Sequence, residues 1–431
     1  MTTVISSESA RSAVEEVAAV TSRRDTVVDL AQAALSRASE VEDRIHAFCY
    51  LDEQAVLASA EAVDRHGDGP LKGLVVGVKD VIDTVDMPTT YGSPLFAGHQ
   101  PAHDAAIVAT IRRLGGLVLG KTSSTEFAMF EPTDTRNPVD LTRTPGGSSS
   151  GSAAAVAAGV LPVALGTQTA GSVVRPAAYC GIYGFKPSRG WTSTEGVFPL
   201  AASLDTLGIL ARSIGDLRLV YEAVRSSPPV ARQDGRRLKT VAVLPAIEWG
   251  DVEPESLDAL RSASARLAAH GLMVVDLDMP TEWLALPFEH ETVMAFETAR
   301  CLRQLLGDRV NEISPSSQSV VARGETTRQA DYESSLDAAR RATEVLQRLS
   351  RTVDMLLTPS ALGVAPSGLD FTGDPVMCRP WTLLGLPTAN LPTFRTDAGL
   401  PVGIQAVSLV CDDAGFLDDL EVLETLLSTE S

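Results

Sequence analysis

The N-terminal part of the chain carries apolar residues at the spacing of helices. Val27, Leu30, Ala34 and Ala38 recur at intervals of three and four, with charged residues on the other side of the helix. This pattern is typical of an amphipathic helix. A second helix is predicted over residues 52–65, because the segment HGDGP that follows would end it. Residues 1–69 are therefore predicted to form N-terminal helices.

The pattern changes after residue 70, where short apolar runs alternate with amphipathic stretches. LKGLVVGVKDVIDT predicts a buried strand with Lys79 and Asp80 at its end, AAIVATIRRLGG predicts a helix stopped by glycine, and LVLGKTS predicts the next strand. Small residues over 152–159 predict a closely packed helix, and LPVALGTQT predicts another buried strand. Strands that alternate with helices are typical of an α/β sheet.

A second strand, helix and strand follow the polar stretch 225–237, which indicates a surface loop or hinge. Their segments are TVAVLP, ESLDALRSASARLAAHG and LMVVDLDMP. Polar helices are predicted over 288–350, and DMLLTPS and VGIQAVS are predicted as late strands. The prediction is one α/β domain over 1–431, with its core in 70–225 and completing strands and helices in 226–431.

Composition and charge exclude several classes of protein. With 44% hydrophobic residues the chain can bury a large core. A net charge of −19 without a basic cluster argues against nucleic-acid and membrane partners. Five scattered cysteines favour a reducing compartment, and the first residues lack the apolar segment of a signal peptide. We expect a cytoplasmic protein that acts on a small molecule, and a homodimer is compatible with the sequence.

The segment TPGGSSSGSAAA, residues 144–155, is the most unusual stretch of the chain. A phosphate-binding loop would need the pattern GxxxxGK[ST], but no basic residue lies between Arg143 and Arg175. On its own the segment indicates a serine-capped turn at the start of a helix.

A second segment, GTQTAGSVVRPAAYCG, places Ser172 just after a predicted strand. Successive backbone N–H groups there could bind an oxyanion, which makes the serine a candidate nucleophile that still needs a base. None of the six histidines lies in a catalytic motif, and the HExxH zinc pattern fails at His290 because Met294 stands in the fifth position. Lys79, inside an apolar strand, is a candidate because desolvation lowers the pKa of a lysine. Lys121 is a rival base that we expect to be less enclosed.

Lys79 in GVKD, the glycine-serine loop 146–152 and the Ser172 segment together resemble the amidase signature family. The resemblance is strong over 71–217 and weak over the C-terminal third. It implies a large twisted mixed β-sheet covered on both faces by α-helices, with no metal and no organic cofactor. Ser150 stands where the family more often has glycine, and the effect of this departure is open.

The resemblance also implies a mechanism. Ser172 would attack the amide carbonyl carbon, and Ser148, after a cis peptide bond, would relay the proton to neutral Lys79. The oxyanion would be held by the backbone amides of Thr169, Ala170, Gly171 and Ser172. The implied reaction is hydrolysis of a small linear carboxylic amide to an acid and ammonia or an amine, through an acyl-enzyme.

Three residues are candidates for substrate binding. By the resemblance, Met129 and Glu131 would line the pocket, where Glu131 would either favour a cationic substrate or bind the backbone. Arg175 would bind a substrate carboxylate, or would form a structural ion pair with Asp205.

Other functions stay open at this level. An amidotransferase A-type subunit, which releases ammonia from glutamine, is disfavoured because AGSVVRPAA replaces its usual GGSIRQPA pattern. Carbamate or ester hydrolysis would use the same groups. A non-catalytic binding protein is disfavoured because Lys79, Ser148 and Ser172 are all present.

Overall fold

A mixed sheet of eleven strands forms the centre of the computed structural model, which describes residues 10–226 and 238–428. The strand order is β1-β3-β2-β4-β6-β5-β10-β11-β9-β7-β8. The strands are β1 (Phe48–Tyr50), β2 (Val75–Lys79), β3 (Leu117–Thr122), β4 (Val163–Gln168), β5 (Tyr183–Lys186), β6 (Thr206–Ala211), β7 (Thr240–Val243), β8 (Met273–Asp276), β9 (Met355–Pro359), β10 (Thr388–Arg395) and β11 (Pro401–Ser408). Most of the predicted loop 225–237 lies outside the described residues.

Helices precede, connect and follow these strands. They are α1 (Ala13–Thr21), α2 (Val27–Ile45), α3 (Glu53–His66), α4 (Ala106–Arg113), α5 (Ser150–Ala157), α6 (Val174–Cys180), α7 (Ile214–Val224), α8 (Pro254–Ala269), α9 (Leu286–Leu306), α10 (Pro315–Thr326), α11 (Gln329–Leu349), α12 (Arg379–Leu383) and α13 (Asp413–Ser428). Among the described helices, none combines the length and the hydropathy needed to cross a bilayer.

The two faces of the sheet are buried under different helices, because side chains alternate along a strand. On one face Val75 and Leu117 pack with apolar residues of α2, α3 and α5. On the other face Val76 and Val118 pack with residues of α4, α7 and α13. The predicted α/β fold, with a large mixed sheet covered on both faces, is confirmed.

The sheet has two halves that follow the order of the chain. Strands β1 to β6 form one half and β7 to β11 form the other, and the halves meet where β5 pairs with β10 in antiparallel register, with Phe185 opposite Ala389. We call this junction the β5–β10 seam. The division of the chain into a single domain stays a prediction, although one sheet includes both halves.

Three parallel strands position the residues singled out by sequence. β2 lies between β3 and β4 and runs parallel to both, so their carboxyl ends meet at one edge of the sheet. Lys79 ends β2, and Gln168 ends β4. Ligand sites in α/β sheets form beyond such carboxyl ends.

Candidate active site

Lys79 is fully buried at the end of β2 and contacts a serine hydroxyl. Its Nζ lies 2.7 Å from Ser148 Oγ and 2.8 Å from Thr167 Oγ1. Burial lowers the pKa of Lys79 well below its ordinary value, and the more distant Asp205 carboxylate opposes this shift only in part. A neutral amine can accept a proton, so Lys79 can take one from Ser148.

Lys121, the rival base, is not less enclosed than Lys79, so this expectation was wrong. It belongs to β3, is fully buried, and donates hydrogen bonds to Ile82 O and Thr89 Oγ1. Burial lowers the pKa of Lys121 to about 8. Among the described residues Lys121 Nζ bonds neither Ser148 nor Ser172, so it is not placed to take a proton from either serine.

The glycine-serine loop presents Ser148 to this lysine. The peptide bond between Gly147 and Ser148 is cis, as the resemblance implied. Ser148 is fully buried, and its carbonyl accepts a hydrogen bond of 3.3 Å from Thr125 N. The hydroxyl of Ser150, the departure from the family pattern, donates to Gly146 O at 2.7 Å and so links the start of the loop to the first residue of α5.

Ser172 lies in the turn between β4 and α6. It is buried, with 6% of its surface exposed, and it lines a narrow pocket. Within the described ranges, no hydrogen bond is donated by the backbone N–H groups of Ala170, Gly171 or Ser172. These three donors are therefore available to a ligand, as an oxyanion would require.

This turn is held by hydrogen bonds to three side chains, none of which the sequence analysis placed at the site. Gln168 Oε1 accepts hydrogen bonds from two backbone N–H groups at the start of α6, while Thr382 and His290 donate to carbonyl oxygens of the turn. Gln168, at the end of a predicted strand beside Ser172, could have been found from sequence. Nothing in the sequence near Thr382 or His290 points to the turn.

The pocket beside Ser172 has mostly apolar walls that come from both halves of the chain. Its lining comprises Ala128, Met129, Phe130, Thr169, Ala170, Ser172, Arg175, Leu200, Met294, Thr298, Val320 and Pro375. Met129 belongs to this lining, and its role in substrate binding stays a prediction. Glu131 is outside this lining and accepts a hydrogen bond of 2.7 Å from Ser316 Oγ of α10.

Arg175 has the only charged side chain in this pocket lining, and it is almost completely buried. Its Nη2 donates to Gly147 O at 2.6 Å, whereas Nε and Nη1 have no hydrogen-bond partner among the described residues. Asp205 instead accepts hydrogen bonds from Thr169 Oγ1 at 2.5 Å and Ala201 N at 2.9 Å. In the described structure Arg175 and Asp205 form no ion pair.

Thr298 of α9 is a second polar group of the pocket. It is fully buried, and its hydroxyl also lacks a partner within the described part of the chain. A buried polar group without a partner costs free energy. A ligand that paired with Arg175 and Thr298 would remove that cost. No group of three or more His, Cys, Asp or Glu side chains in the described ranges is placed to hold a metal ion.

Known proteins resemble this chain over nearly its full length. The family model described as Amidase matches residues 29–417. The A-type subunit of the glutamyl-tRNA(Gln) amidotransferase of Chloroflexus aggregans is 34% identical, over 91% of each chain. A solved amidase is 31% identical, with a TM-score of 0.84 over 96% of this chain and 98% of its own. The solved A-type subunit of the Thermotoga maritima amidotransferase is 26% identical, with a TM-score of 0.76 over 92% and 90%.

Proposed function

Because this chain belongs to the amidase family, we propose that it cleaves the C–N bond of a small carboxylic amide with Ser172 as the nucleophile. The observation that carries the proposal is the 2.7 Å hydrogen bond between Ser148 Oγ and the fully buried Lys79. A serine hydroxyl is a weak nucleophile until a base takes its proton. In the proposed relay Lys79 is that base, and Ser148 links it to Ser172.

The proposed acylation step moves one proton along the triad. Ser172 Oγ attacks the carbonyl carbon while its proton passes to Ser148, whose own proton passes to Lys79 Nζ. The N–H groups of Ala170, Gly171 and Ser172 bind the oxyanion that forms. Loss of one such donor costs about 2.7–4 kcal/mol in comparable enzymes.

The collapse of this intermediate uses the same relay in reverse. Lys79 returns a proton through Ser148 to the leaving nitrogen, because an amine leaves poorly unless it is protonated. Water then attacks the acyl-enzyme, and Ser172 is regenerated when the acid departs.

Arg175 and Thr298 suggest the chemical class of the substrate. Both lie in the pocket lining with polar atoms that lack a partner among the described residues, and the rest of the lining is mainly apolar. An amide whose acyl part carries a carboxylate would pair with Arg175, since guanidinium groups bind carboxylates with two donors. Thr298 would add a hydrogen bond to the same acyl part.

Glutamine is the first candidate among such amides. It bears both a carboxamide and a carboxylate, and the relative from Chloroflexus aggregans is the A-type subunit of a glutamyl-tRNA(Gln) amidotransferase. The comparisons support this alternative better than the free-standing linear amidase that the sequence analysis preferred. We therefore propose ammonia release from glutamine as an A-type subunit that works with partner proteins.

A free-standing amidase is the second candidate. The observation that favours it is the solved amidase, whose TM-score of 0.84 exceeds the 0.76 of the solved A-type subunit. The nucleophile segment also favours this candidate, because AGSVVRPAA differs from the GGSIRQPA pattern that is usual in A-type subunits.

A test measures ammonia release by the isolated chain from glutamine and from a panel of neutral and carboxylated amides, with and without the partner subunits of a related amidotransferase. We expect Ser172→Ala to lose at least about 10⁴-fold in kcat/KM and all labelling by a fluorophosphonate. Arg175→Gln should lower kcat/KM for carboxylated amides about 10-fold to 100-fold more than for neutral ones.

Each result decides between the candidates. Glutamine turnover that needs the partner subunits supports the A-type subunit, and turnover of simple amides by the isolated chain supports the free-standing amidase. A wild-type chain that neither labels nor releases ammonia under any of these conditions contradicts the proposed chemistry altogether. An unchanged substrate preference in Arg175→Gln contradicts the carboxylate site alone.

A further inference from the structure

Three consecutive carbonyl groups in the turn before Ser172 are all held by donors of the protein. The donors and acceptors are His290 Nε2 with Thr169 O at 2.7 Å, Thr382 Oγ1 with Ala170 O at 2.7 Å, and Arg175 N with Gly171 O at 2.9 Å. The N–H groups on the other side of the same three peptide units, those of Ala170, Gly171 and Ser172, donate to no group in the described part of the chain. Each unit is thus fixed at its oxygen and free at its nitrogen.

His290 of α9 has a defined protonation state in this arrangement. The ring is fully buried, and Nε2 must carry the hydrogen because its partner, a carbonyl oxygen, can only accept. Burial, together with the positive charge of Arg379, lowers the pKa of His290 to about 3. The ring is therefore neutral near pH 7, and Nδ1, which carries no hydrogen, has no partner among the described residues.

The orientation of the Thr382 hydroxyl is also determined by its neighbours. Gln168 Oε1 accepts hydrogen bonds from Val173 N and Val174 N, at 2.9 and 3.1 Å, so the amide orientation of Gln168 is fixed. Gln168 Nε2 then donates to Thr382 Oγ1 at 3.0 Å. The hydroxyl hydrogen of Thr382 is left for Ala170 O, which lies closer than Cys378 O at 3.2 Å.

We propose that His290 and Thr382 are positioning residues of the oxyanion site. Each donates a hydrogen bond to the carbonyl oxygen of one peptide unit. The N–H groups on the opposite side of these units, those of Ala170 and Gly171, then point into the pocket before the oxyanion forms. A hydrogen bond at the carbonyl also polarises its peptide unit and makes the N–H of that unit a stronger donor. This inference rests on the proposed role of Ser172 and adds two side chains from the other half of the molecule.

The test compares paired variants at each position. Thr382→Val removes the hydroxyl at nearly constant volume and Thr382→Ser restores it, while His290→Met removes the donor and His290→Gln restores a side-chain N–H. We expect kcat to fall about 10-fold in Thr382→Val and His290→Met, which is less than the 10²–10³-fold cost of losing a direct donor. KM should change less than about twofold, because the oxyanion exists only in the transition state.

A second readout isolates the oxyanion. A boronic acid that forms a tetrahedral adduct with Ser172 should bind to Thr382→Val and His290→Met more weakly than to the wild-type chain. The loss of affinity should equal the fall in kcat. Thr382→Ser and His290→Gln should recover kcat and this affinity to within about threefold. Thr292→Val is the matched control, because Thr292 lies on the same helix as His290 and donates only to Phe288 O within that helix.

The outcomes separate this inference from the proposed function. If Thr382→Val and His290→Met keep both kcat and boronic-acid affinity at wild-type thermal stability, the inference is overturned while the proposed function stands. If Thr382→Val and His290→Met lose activity only in proportion to the loss of folded protein, the two residues are merely structural and the inference fails. The inference also fails if Thr382→Ser and His290→Gln recover neither kcat nor boronic-acid affinity. A wild-type chain that is inactive and unlabelled overturns the proposed function and this inference together.

Discussion

Lys79 carries a free-energy cost for the folded chain, because it is buried in the sheet and its pKa is lowered. In the unfolded chain the amine is protonated below its ordinary pKa of about 10.4. Between the lowered folded pKa and that value, the unfolded state binds more protons. The contribution of Lys79 to the free energy of unfolding therefore increases as the pH rises through this window.

The first prediction concerns Lys79→Met. The apolar side chain removes the buried amine, so activity should be lost while the Tm at pH 7 rises above that of the wild-type chain. The gain should shrink as the pH approaches 10, because the unfolded wild-type lysine then loses its proton too. Thermal unfolding at pH 7 and pH 10 measures both values. A lower Tm for Lys79→Met at pH 7 would show that its hydrogen bonds outweigh the cost of burial.

Sequence predicts individual site residues only where they lie near a recognisable motif. Lys79, Ser148 and Ser172 each stand in a short segment of unusual composition, so they could be singled out before the fold was known. The contacts of His290 and Thr382 with the Ser172 turn span 121 and 212 residues. No local pattern encodes such a contact, because it depends on how α9 and α12 pack against the sheet.

At the scale of elements, the buried parallel strands were the easiest to predict. β2, β3 and β4 are almost wholly apolar runs, and the structure has strands within each predicted segment. β5 was not predicted, because its four residues YGFK give too short a signal. β10 was also missed, since it contains Pro392 and its pairing with β11 is irregular between Leu391 and Phe394.

The helices α9 and α10 approach each other closely at one glycine. A Cβ atom on Gly324 of α10 would lie 1.9 Å from Ala295 O and 2.6 Å from Ala299 Cβ, both in α9. No side chain fits there without moving one helix. Since α9 carries Met294 and Thr298 of the pocket lining, a shift of α9 would also reach the pocket.

The second prediction therefore compares two helical glycines. Gly324→Ala should lower the free energy of unfolding by about 1–3 kcal/mol, because overpacking outweighs the better helix propensity of alanine. Gly215→Ala, in α7, should be neutral or stabilising by up to about 1 kcal/mol, since the nearest atom to its Cβ would be 3.7 Å away. Urea unfolding of both variants gives the two values. Equal stability would contradict the importance of close approach at Gly324.

At the scale of the whole molecule, the β5–β10 seam makes the two halves depend on each other. Each half would expose an unpaired sheet edge at the seam if the other unfolded, and would lose part of the pocket wall. Exposed edges of this kind are unfavourable. We therefore expect the halves to unfold together.

The third prediction tests this coupling in the variant Trp191→Phe. Its remaining tryptophans, at positions 249, 283 and 381, all lie in the second half, so their fluorescence reports on that half alone. Circular dichroism in the far ultraviolet reports on the whole chain. The two signals should give the same urea midpoint. Midpoints that differ would show two independent units and would contradict the single-domain prediction.

The seam also separates the triad from part of the pocket wall. Lys79, Ser148 and Ser172 belong to the first half, whereas Met294, Thr298, Val320 and Pro375 belong to the second half and form part of the pocket wall. Random mutagenesis confined to residues 291–326, which leaves His290 unchanged, is therefore expected to alter the substrate preference while the triad and the two positioning residues stay intact. For laboratory evolution, this segment is a replaceable part of the pocket wall beside a reactive site that stays fixed.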